Sequence, residues 1–157
     1  MKRTRKNVAN GVRKKAVEGL YSKCLYISSG TLARRVEKLA IDIWKPAGLP
    51  PSHAYLLQQI LSGDICFPSR VAQDLMLSPS TVTRLLDKLE RMNLISRTPY
   101  EHLICVQPTQ KARDLEPLLL QCEWAFDREC RAIFGEAGSD RLNLLLNTAT
   151  DKLAEAR

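Results

Sequence analysis

The chain has none of the signatures that usually mark membrane proteins, metal proteins or enzymes. No run approaches the roughly 18 to 20 apolar residues that cross a bilayer. The basic start is followed by no apolar segment of a secretory leader, so a cytoplasmic protein is expected. There is no GxSxG, P-loop, GxGxxG or HExxH pattern. Carboxylate pairs such as Asp114 with Glu116, or Asp127 with Glu129, lie among Arg and Lys on helical stretches and read as solvated faces. No catalytic set converges, and no enzyme is expected. The five cysteines, Cys24, Cys66, Cys105, Cys122 and Cys130, include no CxxC, and His53 is far from the only other histidine, His102. That spacing offers no recognisable metal site, and an odd count without an export signal argues against a disulfide framework. The thiols are expected to be reduced and mostly buried, with no metal or cofactor.

What is present is enough for one ordinary domain: 157 residues, 45% of them hydrophobic. The net charge of +7 has an uneven source. Lys2, Arg3, Arg5, Lys6, Arg13, Lys14 and Lys15 precede the first acid, Glu18, and the remainder holds seventeen residues of each sign. The excess therefore lies in an N-terminal arm, expected over residues 1–20. Such an arm suits phosphate contacts with counterion release on DNA or RNA, against the competing reading of a solvated leader with no specific role.

Residues 70–108, RVAQDLMLSPSTVTRLLDKLERMNLISRTPYEHLICVQP, carry the clearest organisation. A short helix, a turn of a few residues and a second helix are followed by two β-prone runs, residues 94–98 and 103–107, which fit a hairpin. Ser78 can cap the second helix, and Pro79 suits its first position because a missing N–H costs nothing there. At about 100° per residue, Val82, Leu85, Leu86, Leu89 and Met92 form an apolar stripe. Ser80, Thr81, Arg84, Lys88 and Arg91 fill the opposite sector. A plain solvated face is the competing reading of that sector. The preceding helix, with Val71, Ala72, Leu75 and Leu77 for packing, makes it a helix-turn-helix, whose second helix enters the major groove N-terminus first. Ser78, Ser80, Thr81, Thr83 and Arg84 then face the bases, since Arg pairs with guanine and Thr methyls touch thymine. Lys88, Arg91 and Arg97 lie nearer phosphates. At the hairpin tip Tyr100 and His102 are candidate backbone contacts, with an ordinary turn as the alternative.

The run LSPSTVTRLLDKLERMNLI resembles the recognition helix of the MarR family of winged helix-turn-helix regulators, and GLPPSHAYLLQQIL and PTQKARDLEPLL match that family's pattern in position and type. The resemblance spans residues 29–154. It implies a mostly α fold with a small β-hairpin: one domain over 21–157, a DNA-binding lobe at about 51–109, and dimerisation helices at about 29–45, 109–134 and 139–156. It also implies a homodimer on a pseudo-palindromic duplex operator, usually acting as a repressor. The wing departs from the family pattern: TPYEH replaces the usual acidic and basic cluster with an Arg at its tip.

Outside the lobe, Leu32, Val36, Leu39, Ala40 and Ile43 sit at helical spacing and Pro46 and Gly48 end their helix. The segment YSKCLY before it is expected to pack on the body. Pro50 and Pro51 open the next helix. Thr109 caps a long one in which Pro117 can introduce a kink. Gly135 and Gly138 break it, and Ser139 caps the last. By resemblance to the family's organic-peroxide sensors, Cys24, flanked by Tyr21 and Tyr26, is a candidate redox sensor, against a buried structural thiol. Tyr26, Trp44 and Tyr55 are candidate linings of a pocket for a small phenolic or carboxylic effector, against ordinary core packing. The rival functions are a winged-helix module for protein interaction, or for RNA, that reads no specific DNA.

Overall fold

The computed structural model describes residues 23–63 and 67–156. The N-terminal arm, Tyr21 and Cys66 lie outside the described residues. The chain divides into two units, Met1–Leu39 and Ala40–Arg157. The division falls inside the first helix, α1 (Leu25–Trp44), rather than ahead of it. The reason is packing: the buried residues of α1 are Ala40 and Trp44.

In the first unit, α1 begins at Leu25, earlier than the serine pair expected to open it. The Ser28 N–H donates to Cys24 O at 3.0 Å and Ser29 Oγ to Tyr26 O at 3.2 Å, so helical bonding reaches back to Cys24. Leu25 and Tyr26 are 72% and 83% exposed instead of packed away.

The second unit is built around the lobe. After Trp44 the chain tightens into a 3-10 turn, Lys45–Ala47, which ends at Gly48 in the left-handed region (φ 66°). Pro51 opens α2 (Pro51–Leu61), and α3 (Pro68–Asp74) starts at Pro68 without a side-chain cap from Phe67. Next come α4 (Pro79–Arg91), β1 (Ile95–Tyr100), β2 (Leu103–Pro108), α5 (Gln110–Phe134) and α6 (Glu136–Glu155). Trp44, Leu56, Leu57, Ile60, Val71, Val82, Leu86, Leu89, Leu94, Val106 and Leu119 are essentially sealed from solvent. Each gains about 1.5 to 3 kcal/mol from leaving water.

The two strands pair antiparallel from Ile95 with Pro108 to Tyr100 with Leu103. The hairpin is longer than its sequence indicates. Pro99 and Tyr100, expected in the turn, belong to β1, and the turn shrinks to Glu101 and His102. A two-stranded sheet has only edges, so Pro99 forfeits no obligatory ladder bond. Glu101 adopts φ 53°, the left-handed geometry a tight turn demands.

The last helix also starts early. Gly135, at φ 78° and ψ 158°, makes the whole corner, so Gly138 and Ser139 lie inside α6. Arg131 of α5 spans that corner. It contacts Asp127 at 2.8 Å, Glu136 at 2.6 Å and Asp140 at 3.2 Å. These carboxylates hold its guanidinium charged even more firmly than usual, the Asp127 hydrogen bond contributing most. Pro117 lies within α5, as expected.

Candidate nucleic-acid interface

Helix α4 starts as its sequence requires. Ser78 is extended (φ −66°, ψ 147°) and its Oγ accepts from the Thr81 N–H at 3.2 Å, with Pro79 at the first helical position. Val82, Leu85, Leu86 and Leu89 are buried and Met92 packs at the core's edge, so the apolar stripe is the inward face. Both turns that flank this helix are closed by backbone hydrogen bonds. After α3, Leu77 N–H donates to Ala72 O at 2.9 Å and Met76 N–H to Gln73 O at 3.1 Å. After α4, Leu94 N–H donates to Leu89 O at 3.0 Å and Asn93 N–H to Glu90 O at 2.8 Å. Each closure needs one residue in the left-handed region, and Met76 (φ 50°) and Asn93 (φ 57°) take it without glycine. The start of α5 seats the second turn: Thr109 Oγ1 donates to Asn93 O at 2.8 Å and Lys111 Nζ to Met92 O at 2.9 Å.

The outward face divides into tied and free groups. Ser78 Oγ lies 3.0 Å from Ser80 Oγ and 2.8 Å from Thr81 Oγ1, a local hydroxyl cluster at the helix start. Thr83 Oγ1 donates back to Pro79 O at 2.9 Å, which commits its proton and leaves its lone pairs available. Arg84 is exposed and has no ion pair or hydrogen bond among the described residues. Arg91 is exposed, with Nε donating to Asp87 O at 3.2 Å. Lys88 is half-buried.

Two groups escaped the sequence reading. His53, near the start of α2, is close enough to Lys88 to feel its charge. Burial first, and Lys88 second, push the imidazole below its usual value. Nothing in the spacing of residues 53 and 88 marks the pair. Ser69 and Gln73, one turn apart on α3, line a cleft of about 400 Å³ together with Pro79 and Thr83 of α4. That places a hydroxyl and an amide beside the start of α4.

Arg97, expected near phosphates, is otherwise engaged. Its guanidinium pairs with Asp87 at 2.7 Å and Glu90 at 3.4 Å, and its side chain is only 24% exposed. It fastens β1 to α4. The rest of the hairpin offers little charge: Glu101 and His102 form the exposed turn, and Tyr100, Leu103 and Ile104 are each about half exposed. Tyr100 also leans on Phe67, with ring centroids 6.3 Å apart.

Of the remaining candidates, Trp44 is fully buried and meets Tyr55 edge-on, with centroids 5.1 Å apart. Tyr26 is exposed in the other unit. Cys24 is half-buried and forms no hydrogen bond with Tyr26. Cys105 and Cys122 are buried, and Cys130 is half-buried. Among the described residues no cluster of three or more His, Cys, Asp or Glu could hold a metal. No helix there is long and apolar enough to cross a membrane.

The family model of the MarR family matches residues 66–101, which take in α3, α4 and β1. No curated protein sequence matches the chain. Solved structures match over most of its length. The transcriptional repressor CouR, bound to a 23-mer DNA duplex, superposes with a TM-score of 0.76 at 19% identity, over 84% of this chain and 96% of that one. A cysteine-to-serine mutant of MarR from E. coli, complexed with operator DNA, gives 0.70 at 16%, over 84% and 99%. The organohalide-sensing regulator RdhR in its 2,4-dichlorophenol-bound form gives 0.75 at 16%, over 86% and 82%. At such identities the likeness is one of fold.

Proposed function

We propose that this chain, with a MarR-family segment at its centre and the fold of MarR-type regulators around it, is a transcriptional regulator that reads duplex DNA as a homodimer. The observation that carries the reading is the outward face of α4. A helix of defined start and rigid seating presents Ser80, Thr83 and Arg84 to solvent, with Arg84 free of partners among the described residues. In the major groove, Arg84 supplies a bidentate contact to guanine, and the Thr83 methyl and lone pairs suit thymine or an exocyclic amine. Ser69 and Gln73 extend the reading surface onto α3, where Gln can pair with adenine. Lys88, Arg91 and His53 take phosphates. Arg97 is a positioning residue that holds the wing to the reading helix and does not itself contact DNA.

The dimer is supported by what the chain leaves uncovered. On α5 and α6, Trp124, Ile133, Phe134, Leu144, Leu145, Leu146 and Leu153 are substantially exposed, as are Leu25, Tyr26 and Ile27 on α1. Apolar exposure on this scale marks an interaction surface, and a two-fold dimer is the commonest way to cover one. Two reading helices about 34 Å apart then address successive major grooves of a pseudo-palindrome. Repression follows where such a site overlaps a promoter. Selection on random duplex DNA tests the whole reading: an enriched palindromic site is expected, and recovery of no preferred duplex sequence overturns it.

A further inference from the structure

We infer that the cleft between α3 and α4 receives the C5 substituent of a pyrimidine in duplex DNA, so that the protein tells thymine from uracil, and 5-methylcytosine from cytosine, at one position of each half-site. The inference deepens the proposed function and rests on it. The cleft, of about 400 Å³, is continuous with the reading face, because Thr83 lines it and Arg84 follows. Ala72 is buried and Pro68 and Leu77 are half-buried, so apolar groups lie deepest. Ser69, Gln73 and Thr83 are exposed and lie nearer the solvent.

What the cleft refuses decides what it takes. No charged side chain lines it. A phosphate would therefore need the backbone N–H groups of the two helix starts, and most of these are absent or spent. Pro68 and Pro79 have none. Those of Arg70 and Val71 donate to Phe67 O at 3.0 and 3.1 Å, and those of Thr81 and Val82 donate to Ser78 Oγ at 3.2 Å and Ser78 O at 3.0 Å. A site without cations and with few free donors does not hold the DNA backbone. What remains on a duplex is a base edge, and the apolar group that a base edge carries in the major groove is the pyrimidine C5-methyl.

The polar groups of the lining fit the rest of the same base pair. The Ser69 and Gln73 side chains form no hydrogen bond among the described residues, so both are free for the adenine opposite a thymine, whose N6 and N7 suit the Gln73 amide. Thr83 Oγ1 spends its proton on Pro79 O at 2.9 Å and can only accept. An acceptor there also suits the N4 amine of 5-methylcytosine. The volume exceeds one methyl group, so the wider 5-hydroxymethyl group fits as well.

The test is fluorescence-anisotropy titration of the full chain with the duplex enriched by selection, each symmetry-related pair of thymidines being replaced in turn by deoxyuridine. At one such pair the loss should be about fourfold per half-site, the worth of one buried methyl group, and about tenfold or more for both. At that position 5-methylcytosine should bind better than cytosine by a similar factor, and 5-hydroxymethyluracil no worse than uracil. Ser69→Met and Gln73→Met lie at exposed positions with no side-chain hydrogen bond to lose among the described residues. Each should fill the cleft from its opening and bring thymine and uracil within about twofold while the duplex stays bound. A flat uracil scan, equal affinity for cytosine and 5-methylcytosine, 5-hydroxymethyluracil weaker than uracil, or a thymine preference untouched by both substitutions each overturns the cleft and leaves the proposed function standing. Recovery of no preferred duplex sequence overturns both.

Discussion

Arg84 and Arg97 are thirteen positions apart, carry the same charge and have opposite fates. Arg84 stands exposed without a partner among the described residues, whereas Arg97 is spent on Asp87 and Glu90. Arg84→Ala should weaken binding to the selected duplex by about 1 to 3 kcal/mol and relax preference at one base pair. Titration against single-base variants of the site reads this, and an undiminished preference would exclude Arg84 from base reading. For Arg97 the discriminating quantity is salt dependence. Arg97→Met should leave the slope of log affinity against log salt unchanged and cost about 1 kcal/mol or less in denaturant unfolding, because its ion pairs are partly exposed. Lys88→Ala should reduce that slope by about 1, as loss of a phosphate contact does. An Arg97→Met chain that loses salt dependence would show that Arg97 touches phosphate after all.

Elements differ in how openly the sequence declares them. Helix α4 was legible because its determinants are local: Ser78 and Pro79 fix the start, and a stripe from Val82 to Met92 fixes the buried face. The wing was half legible, since Pro99 carries a turn signal yet sits in β1 opposite Ile104 at a free edge. The α5–α6 corner was misjudged by a few residues because one glycine at φ 78° does what two glycines and a serine were expected to share. At the site, the Arg97 ion pairs and the His53–Lys88 proximity were out of reach, because each joins side chains on different elements and leaves no periodic trace. His53 supplies an element-scale prediction. Its folded state favours the neutral ring, so the stability it contributes is present above its ordinary value of 6.5 and is lost as pH falls through that value. His53→Gln should remove that part of the decline. Denaturation midpoints at neutral and mildly acidic pH should lie closer together in the variant than in the parent, and equal gaps would mean that this ring does not contribute to the acid dependence.

For the whole molecule, stability and assembly are expected to be inseparable. If the exposed leucines of α6 are covered by a second copy, the unfolding temperature rises with protein concentration. Leu145→Lys should abolish that dependence and, by separating the two reading helices, reduce affinity for the palindrome far more than for a half-site. Sedimentation of parent and variant checks the mass, and a parent that sediments as a monomer at micromolar concentration would remove the dimer. The helices that carry this surface meet at the corner where Arg131 faces Asp127, Glu136 and Asp140. Three anions share one cation there, so the joint is unequal in what it tolerates. Any one acid can be lost while two remain to hold the guanidinium. Loss of the guanidinium leaves three uncompensated negative charges at the corner, one on α5 and two on α6. Mutational drift should therefore pass through the acids one at a time and stop at the arginine.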